Sequence, residues 1–247
     1  MDQRKVQEYK TVQAINGKRV GELAPGVYSL VKFLFPEAEE EAVLCADLCN
    51  RFSKPDIYVE WNKNRRYISL KSGRSDSVHF ENVRSFLLFL RGLNISEETQ
   101  KTVLRFHYGD GTLNGTGRIR EGFDALYMKM QKELAAANRE LSEKKVVRAG
   151  LTRFVFKGTE ARSISADYLA YGDSSCYVVC SREEVEMFVL GRNYDHIRTL
   201  HIGPMMIQPY LRDPEHISRH TEKRNIVQVK WHYLLTDLEK IRFQNRS

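Results

Sequence analysis

The sequence predicts an α/β protein on three observations. Two short segments with period-2 character, DIYVEW and RRYISLK, bracket the polar turn NKN and so form a hairpin. An apolar stripe at helical spacing, Phe123, Leu126, Met130, Leu134, Ala137 and Leu141, marks one long amphipathic helix in REGFDALYMKMQKELAAANRELSEKK. Beyond about Val146 the pattern changes to short strand-like runs. Residues 1–145 therefore form an α/β part ending in the long helix, and residues 146–247 an α+β part, with a soft boundary near 145.

Taken in order, GELAPGVYSLVKFLF is a turn followed by an apolar segment. PEAEEEAVLCADLCNRF opens with Pro36 and acidic residues, as a helix N-terminus does, and Glu41, Cys45 and Leu48 then share one helical face. After the hairpin, SDSVHFENVRSFLLFLRGL predicts a helix capped by Asp76 or Ser77. Its stretch from Phe86 to Leu90 is apolar on every side, so deep burial is expected. HYGDGTLNGTGRIR is too rich in glycine for a regular element. In the second part RFVFKG, ADYLAYGD and CYVVCS read as strands, and REEVEMFVLG as a helix. RTLHIGPMMIQPYL is extended and broken by Pro204 and Pro209. NIVQVKW alternates strictly, and LLTDLEKIRF closes the chain.

The 247 residues are enough to bury a core without disulfides, and the net charge of +7 favours a polyanionic partner. No run approaches the roughly 18 consecutive apolar residues of a membrane span, so no membrane partner is expected. MDQRKVQEYK lacks the apolar stretch of a signal peptide, which implies a cytoplasmic location. The cysteines Cys45, Cys49, Cys176 and Cys180 should then stay reduced. Cys176 and Cys180 with His216 and His220 have the spacing of a tetrahedral zinc site, although CYVVC as a strand would turn its cysteines to one side as small core residues.

Strand alternation puts Asp56, Tyr58 and Glu60 on one face of the first hairpin strand, and Ser69 and Lys71 on one face of the second. Pairing the strands brings a carboxylate, a hydroxyl and an amine together. That set suits phosphodiester hydrolysis: oxygens hold a hard divalent ion, the ion activates water, and an ammonium stabilises the charge that develops.

Pro55-Asp56 and Ser69-Leu70-Lys71 resemble the PD-(D/E)XK nuclease superfamily, with Ser69 where a second carboxylate is usual. The segment is similar to a subgroup of type II restriction endonucleases with the pattern PD…SxK…E, in which the carboxylate has moved into the following helix. Glu81, with nine residues between it and Lys71, stands in that place. The resemblance covers roughly residues 37 to 92. It implies a central mixed sheet flanked by helices, a restriction-endonuclease-like core. It also implies Mg²⁺ (or Mn²⁺) held by Asp56, Glu81 and the Leu70 carbonyl, with Lys71 orienting water and Ser69 filling the vacated position. Glu60 competes with Glu81, since it shares the Asp56 face; its other reading is a hairpin-end residue paired with Arg65 or Arg66. Glu41, on a helix before the first strand, is a further indirect candidate. The implied partner is double-stranded DNA, bound by a homodimer. A non-specific or structure-specific nuclease, and a non-catalytic DNA-binding protein on the same fold, are the alternatives.

Basic groups that could contact phosphates are Lys63, Arg65, Arg66 and Arg74 around the hairpin, or else these belong to a solvated turn. In the glycine-rich loop, backbone N–H groups beside Arg118 and Arg120 could form an anion nest; an ordinary turn is the competing reading, and no GK[ST] follows. His79 and His107 flank these loops. Gln228 and Lys230 share one strand face after Arg224, in a pattern able to read base edges or simply to face solvent.

Overall fold

The computed structural model describes residues 3–49, 54–73, 76–117, 120–160, 162–194, 199–210 and 221–245. In chain order the elements are α1 (Gln3–Ile15), α2 (Pro25–Leu34), β1 (Cys45–Leu48), β2 (Ile57–Trp61), β3 (Asn64–Lys71) and β4 (Ser77–Asn82). There follow α3 (Val83–Gly92), α4 (Glu97–Tyr108), α5 (Phe123–Lys129), α6 (Gln131–Leu141) and α7 (Lys144–Leu151). The last group is β5 (Tyr168–Asp173), β6 (Cys176–Ser181), α8 (Arg182–Leu190), β7 (His201–Ile202), β8 (Met205–Pro209), β9 (Ile226–Lys230) and α9 (Leu234–Gln244).

The protein is α/β and divides into two compact units that interleave along the chain. One comprises residues 1–75, 151–188 and 233–247, the other residues 76–150 and 189–232. The sequence suggested a single boundary near 145; instead the chain leaves the first unit at Ser75 and returns at Leu151.

The first unit is built on a mixed five-stranded sheet in the order β1-β2-β3-β5-β6, antiparallel except for the parallel pair β3 and β5. One face carries Ala46, Ile57, Val59, Ile68, Leu70, Ala170 and Val179, covered by Val12 and Ile15 of α1 and by Val27, Leu30, Val31 and Leu34 of α2. Each large aliphatic side chain here contributes about 1.5–3 kcal/mol by burial. Gly26 lets α2 approach the β5–β6 turn, since a Cβ there would lie 2.4 Å from the Ser175 carbonyl. By strand alternation Ser69, Lys71, Leu169, Tyr171 and Cys180 lie on the other face. Cys180 is buried there, its thiol donating to the Leu238 carbonyl of α9 at 3.6 Å. Burial pushes that thiol up to about 12, as expected of a small core group.

The second unit carries an antiparallel sheet in the order β4-β9-β8-β7, with α3 against β4 and β9, and α4 against β8. The amphipathic stripe from Leu126 to Leu141 is buried as expected, but the helix breaks at Met130 (φ −111°, ψ 17°), dividing it into α5 and α6.

Four local expectations fail. Residues 36–48 hold no helix: α2 starts earlier, with Pro25 in its first turn, and Cys45–Leu48 is a strand of which only Ala46 is buried. The acidic run lies in surface turns, where Glu41 pairs with Arg19 at 2.9 Å and Glu40 accepts from Tyr28 at 2.7 Å. The helix expected from residue 76 starts at Val83, because Ser77–Asn82 pairs with β9 and Asn82 is the N-cap, accepting from the Arg84 N–H at 2.9 Å. Within α3 Phe86 and Leu90 are buried, while Leu88 is 65% exposed, so the apolar run is not buried all round. RFVFKG forms a π-helical turn, Thr152–Lys157, with Phe154, Val155 and Phe156 buried.

The hairpin is as expected. Within NKN, Asn62 (φ 48°) and Lys63 (φ 63°) form a two-residue turn closing the pair Trp61 and Asn64. Positive φ at both central positions is the type I′ geometry, in which glycine is favoured at the second. Lys63→Gly is therefore expected to stabilise the first unit by about 0.5–1 kcal/mol, read as a higher urea midpoint. An unchanged or lower midpoint would mean that Lys63 bears no cost there.

Candidate functional site

Asp56 stands immediately before β2. Its backbone N–H donates to the Ile68 carbonyl at 2.8 Å, and its own carbonyl accepts from Cys49 at 2.9 Å. Pairing of β2 with β3 ends at Ile57 and Ile68, so the Leu70 N–H beyond it has no strand partner from β2. The Asp56 carboxylate takes that N–H instead: Oδ2 accepts from Leu70 at 2.6 Å. The same oxygen accepts from Lys71 Nζ at 3.2 Å and from Ser69 Oγ at 3.4 Å. Lys71 Nζ further donates to Ser69 Oγ at 2.8 Å and to the Leu70 carbonyl at 2.9 Å. Asp56, Ser69, Leu70 and Lys71 thus meet at one spot, as strand alternation requires. Ser69 is fully buried, while the Asp56 and Lys71 side chains remain 22% and 17% exposed, enough for solvent or a ligand to reach them. Burial, and then the Asp56 carboxylate, push the Cys49 thiol up to about 12.

The oxygens of Asp56, Ser69 and the Leu70 carbonyl are hard donors, which suit Mg²⁺ or Mn²⁺ and not a soft metal. Mg²⁺ is commonly held by one or two carboxylates together with substrate phosphates, so a single carboxylate here is compatible with that ion. Among the described residues no group of three His, Cys, Asp or Glu side chains is gathered. For the proposed zinc set, Cys176 is exposed on β6 and Cys180 buried, while His216 and His220 lie outside the described residues.

Within the first unit, the candidate carboxylates Glu60 and Glu41 are held by arginines. Glu60 shares the Asp56 face but is four residues along the strand, about 13 Å away. It is bound to Arg65, its cross-strand partner, at 2.7 Å, so the hairpin-end reading describes it. Glu41 lies in an exposed turn rather than on a helix. Glu81 belongs to the second unit, where it is a buried residue of β4, and not of a helix, with its carboxylate 3.7 Å from His79. Glu81 thus stands on a strand, where the resemblance implied the helix that follows.

Of the basic candidates, Lys63 and Arg66 are exposed on the hairpin, and Arg65 is tied to Glu60 and stacked 4.0 Å from the Tyr58 ring centre. Arg74 and Arg118 lie outside the described residues. Arg120 is not a surface contact: it is 2% exposed, donates to the Phe106 carbonyl at 3.0 Å and fills the space beside Gly109. Arg224 is likewise internal, paired with Asp110 at 2.5 Å and donating to the Gly117 carbonyl at 2.8 Å. Asp110 also accepts from the backbone N–H groups of Thr112 and Gly117, both at 2.9 Å, so a carboxylate of the chain itself organises the glycine-rich loop as a turn. The D-G-T run is the Asx-turn signal that could have singled out Asp110.

Gln228 and Lys230 do share one face of β9, with Val227, Val229 and Trp231 buried on the other. Both are engaged internally: Gln228 donates to Ser77 at 2.5 Å and accepts from Gln208 at 3.1 Å, and Lys230 pairs with Asp76 at 2.8 Å. Asp76 also pairs with His232. Burial works against the Asp76 charge, yet Lys230 and His232 hold its carboxyl below the usual range.

His107 is buried against Arg224, with Nε2 donating to the Arg224 carbonyl at 2.9 Å. Burial, opposed only in part by that bond, lowers its pKa to about 4. The unfolded chain, with His near 6.5, binds this proton first as pH falls, so stability from neutral His107 is present above pH 6.5 and is lost toward pH 4. The loss should be on the order of 2–3 kcal/mol and should shrink in His107→Gln, as read by urea unfolding at pH 7 and pH 4.5. An equal loss in the variant would exclude His107 as its source.

No protein-family model matches the chain, and no curated protein is a significant match to it.

Proposed function

We propose that this protein is a Mg²⁺-dependent endodeoxyribonuclease of PD-(D/E)XK type, resembling the type II restriction enzymes. The observation that carries the proposal is the convergence of the Ser69 hydroxyl, the Leu70 N–H and the Lys71 ammonium on one oxygen of Asp56. A mixed sheet with helices against it is the framework such a site needs. A bound divalent ion would polarise the phosphoryl group and lower the pKa of the attacking water. Asp56 and the Leu70 carbonyl would hold it, and Lys71 would orient that water and stabilise the charge on the phosphate. Exposed Lys63, in the hairpin turn, would contact the DNA backbone. In the restriction-like form, a homodimer would act on palindromic duplex DNA, protein symmetry matching site symmetry.

Plasmid DNA incubated with the protein and Mg²⁺, and resolved on a gel, tests this. Discrete fragments are expected for a restriction-like enzyme and a smear for a non-specific nuclease of the same superfamily; intact plasmid would refute catalysis.

A second reading, a non-catalytic DNA-binding protein on a nuclease fold, is favoured by the carboxylates. Within the first unit, Glu60 is committed to Arg65 and Glu41 to Arg19. Calorimetry with Mn²⁺ in the presence of DNA separates the two, since the binding module would take up no metal.

A further inference from the structure

Three oxygens of different kinds face one point in the first unit: the Asp56 carboxylate, the Ser69 hydroxyl and the Leu70 carbonyl. Lys71 Nζ sits on all three, at 3.2, 2.8 and 2.9 Å. The ammonium thus has the coordination that a small oxygen-seeking cation would take, supplied by two residues of its own strand and by Asp56. A divalent ion would need these same oxygens at about 2.0–2.1 Å for Mg²⁺. An ion and the ammonium cannot both occupy a cradle of this size, because both need the same oxygens and two positive charges at such separation repel.

We infer that Lys71 is the resident cation of this cradle and competes with the divalent ion for it. This inference rests on the proposed nuclease site and adds its regulation: metal enters only as the Lys71 ammonium leaves. The lysine has somewhere to go, since its side chain is partly exposed and a DNA phosphate offers it replacement oxygens. Substrate would in this way draw Lys71 off the cradle and favour metal loading, and by linkage metal would favour substrate to the same degree. A free enzyme that holds its metal weakly and its substrate complex that holds it well are the two ends of that exchange.

Mn²⁺ titration without DNA, followed by calorimetry, tests the competition in the wild type, Lys71→Met and Arg66→Met. Lys71→Met should bind Mn²⁺ more tightly, within the roughly 5- to 150-fold range of such couplings, although it loses cleavage. Arg66→Met removes an exposed charge from the same strand and should change the affinity less than about twofold, since exposed charges are screened. Lys71→Gln serves as a second neutral variant, and circular dichroism verifies the fold of each. Equal or weaker Mn²⁺ binding by both neutral variants, with the wild type still cleaving DNA, would overturn the competition alone. Absence of Mn²⁺ binding in every protein, with no cleavage by the wild type, would overturn the nuclease site as well.

Discussion

Asp110→Ala is expected to lower the unfolding free energy by about 3–5 kcal/mol, the cost of breaking one partner out of a buried ion pair. The Asp110 side chain is fully buried. Its two oxygens take the Arg224 guanidinium, the Gly117 N–H, and both the N–H and hydroxyl of Thr112. Without the carboxylate, Arg224 keeps its bond to the Gly117 carbonyl but stands as a nearly buried cation with no counter-charge in this pair. The double variant Asp110→Ala with Arg224→Met should lose clearly less than the two single changes added together, because it leaves no orphaned charge. Urea unfolding followed by tryptophan fluorescence in a Trp61→Phe background reads this unit, since Trp231 is 1% exposed within it. A loss under about 1 kcal/mol for Asp110→Ala would show that the pair behaves as an exposed one.

Asp56→Ala should reduce Mg²⁺-dependent cleavage by roughly 10²–10³-fold or more, the scale on which one electrostatic group at a reacting centre acts. Alanine also strips the acceptor from the Leu70 N–H and the carboxylate from Lys71, at about 1–3 kcal/mol in stability. Asp56→Asn separates the two effects. Its amide oxygen can still accept from Leu70, so the fold should be kept while the charge that would hold the metal is gone. If the asparagine variant cleaved as well as the wild type, Asp56 would have no part in catalysis.

The hairpin and its site were legible because every deciding interaction is local. Alternation along two strands joined by two turn residues forces Ser69 and Lys71 to the side on which Asp56 lies, and no distant element can alter that. Glu81 was misplaced for the opposite reason. Its segment carries residues acceptable to a helix, and only pairing with β9, about 150 residues later, makes it a strand. Arg120 and Arg224 resembled a basic surface because their partners are remote or are backbone carbonyls; Asp110 lies 114 positions from Arg224. Pro36 followed by acidic residues imitated a helix start, whereas the real N-terminal proline is Pro25. The interleaving of the two units left no composition shift at Ser75 or Leu151 from which to read it.

On the proposed function, Asp56 and Lys71 form a metal-dependent phosphodiesterase site. Supercoiled plasmid incubated in parallel with equal amounts of wild type and Asp56→Asn, each with Mg²⁺ and with EDTA, tests it most directly. The expected result is nicked or linear DNA only from the wild type with Mg²⁺, while both proteins still retard DNA in a gel shift. Cleavage of equal rate by the two proteins, or no cleavage by either, would contradict it.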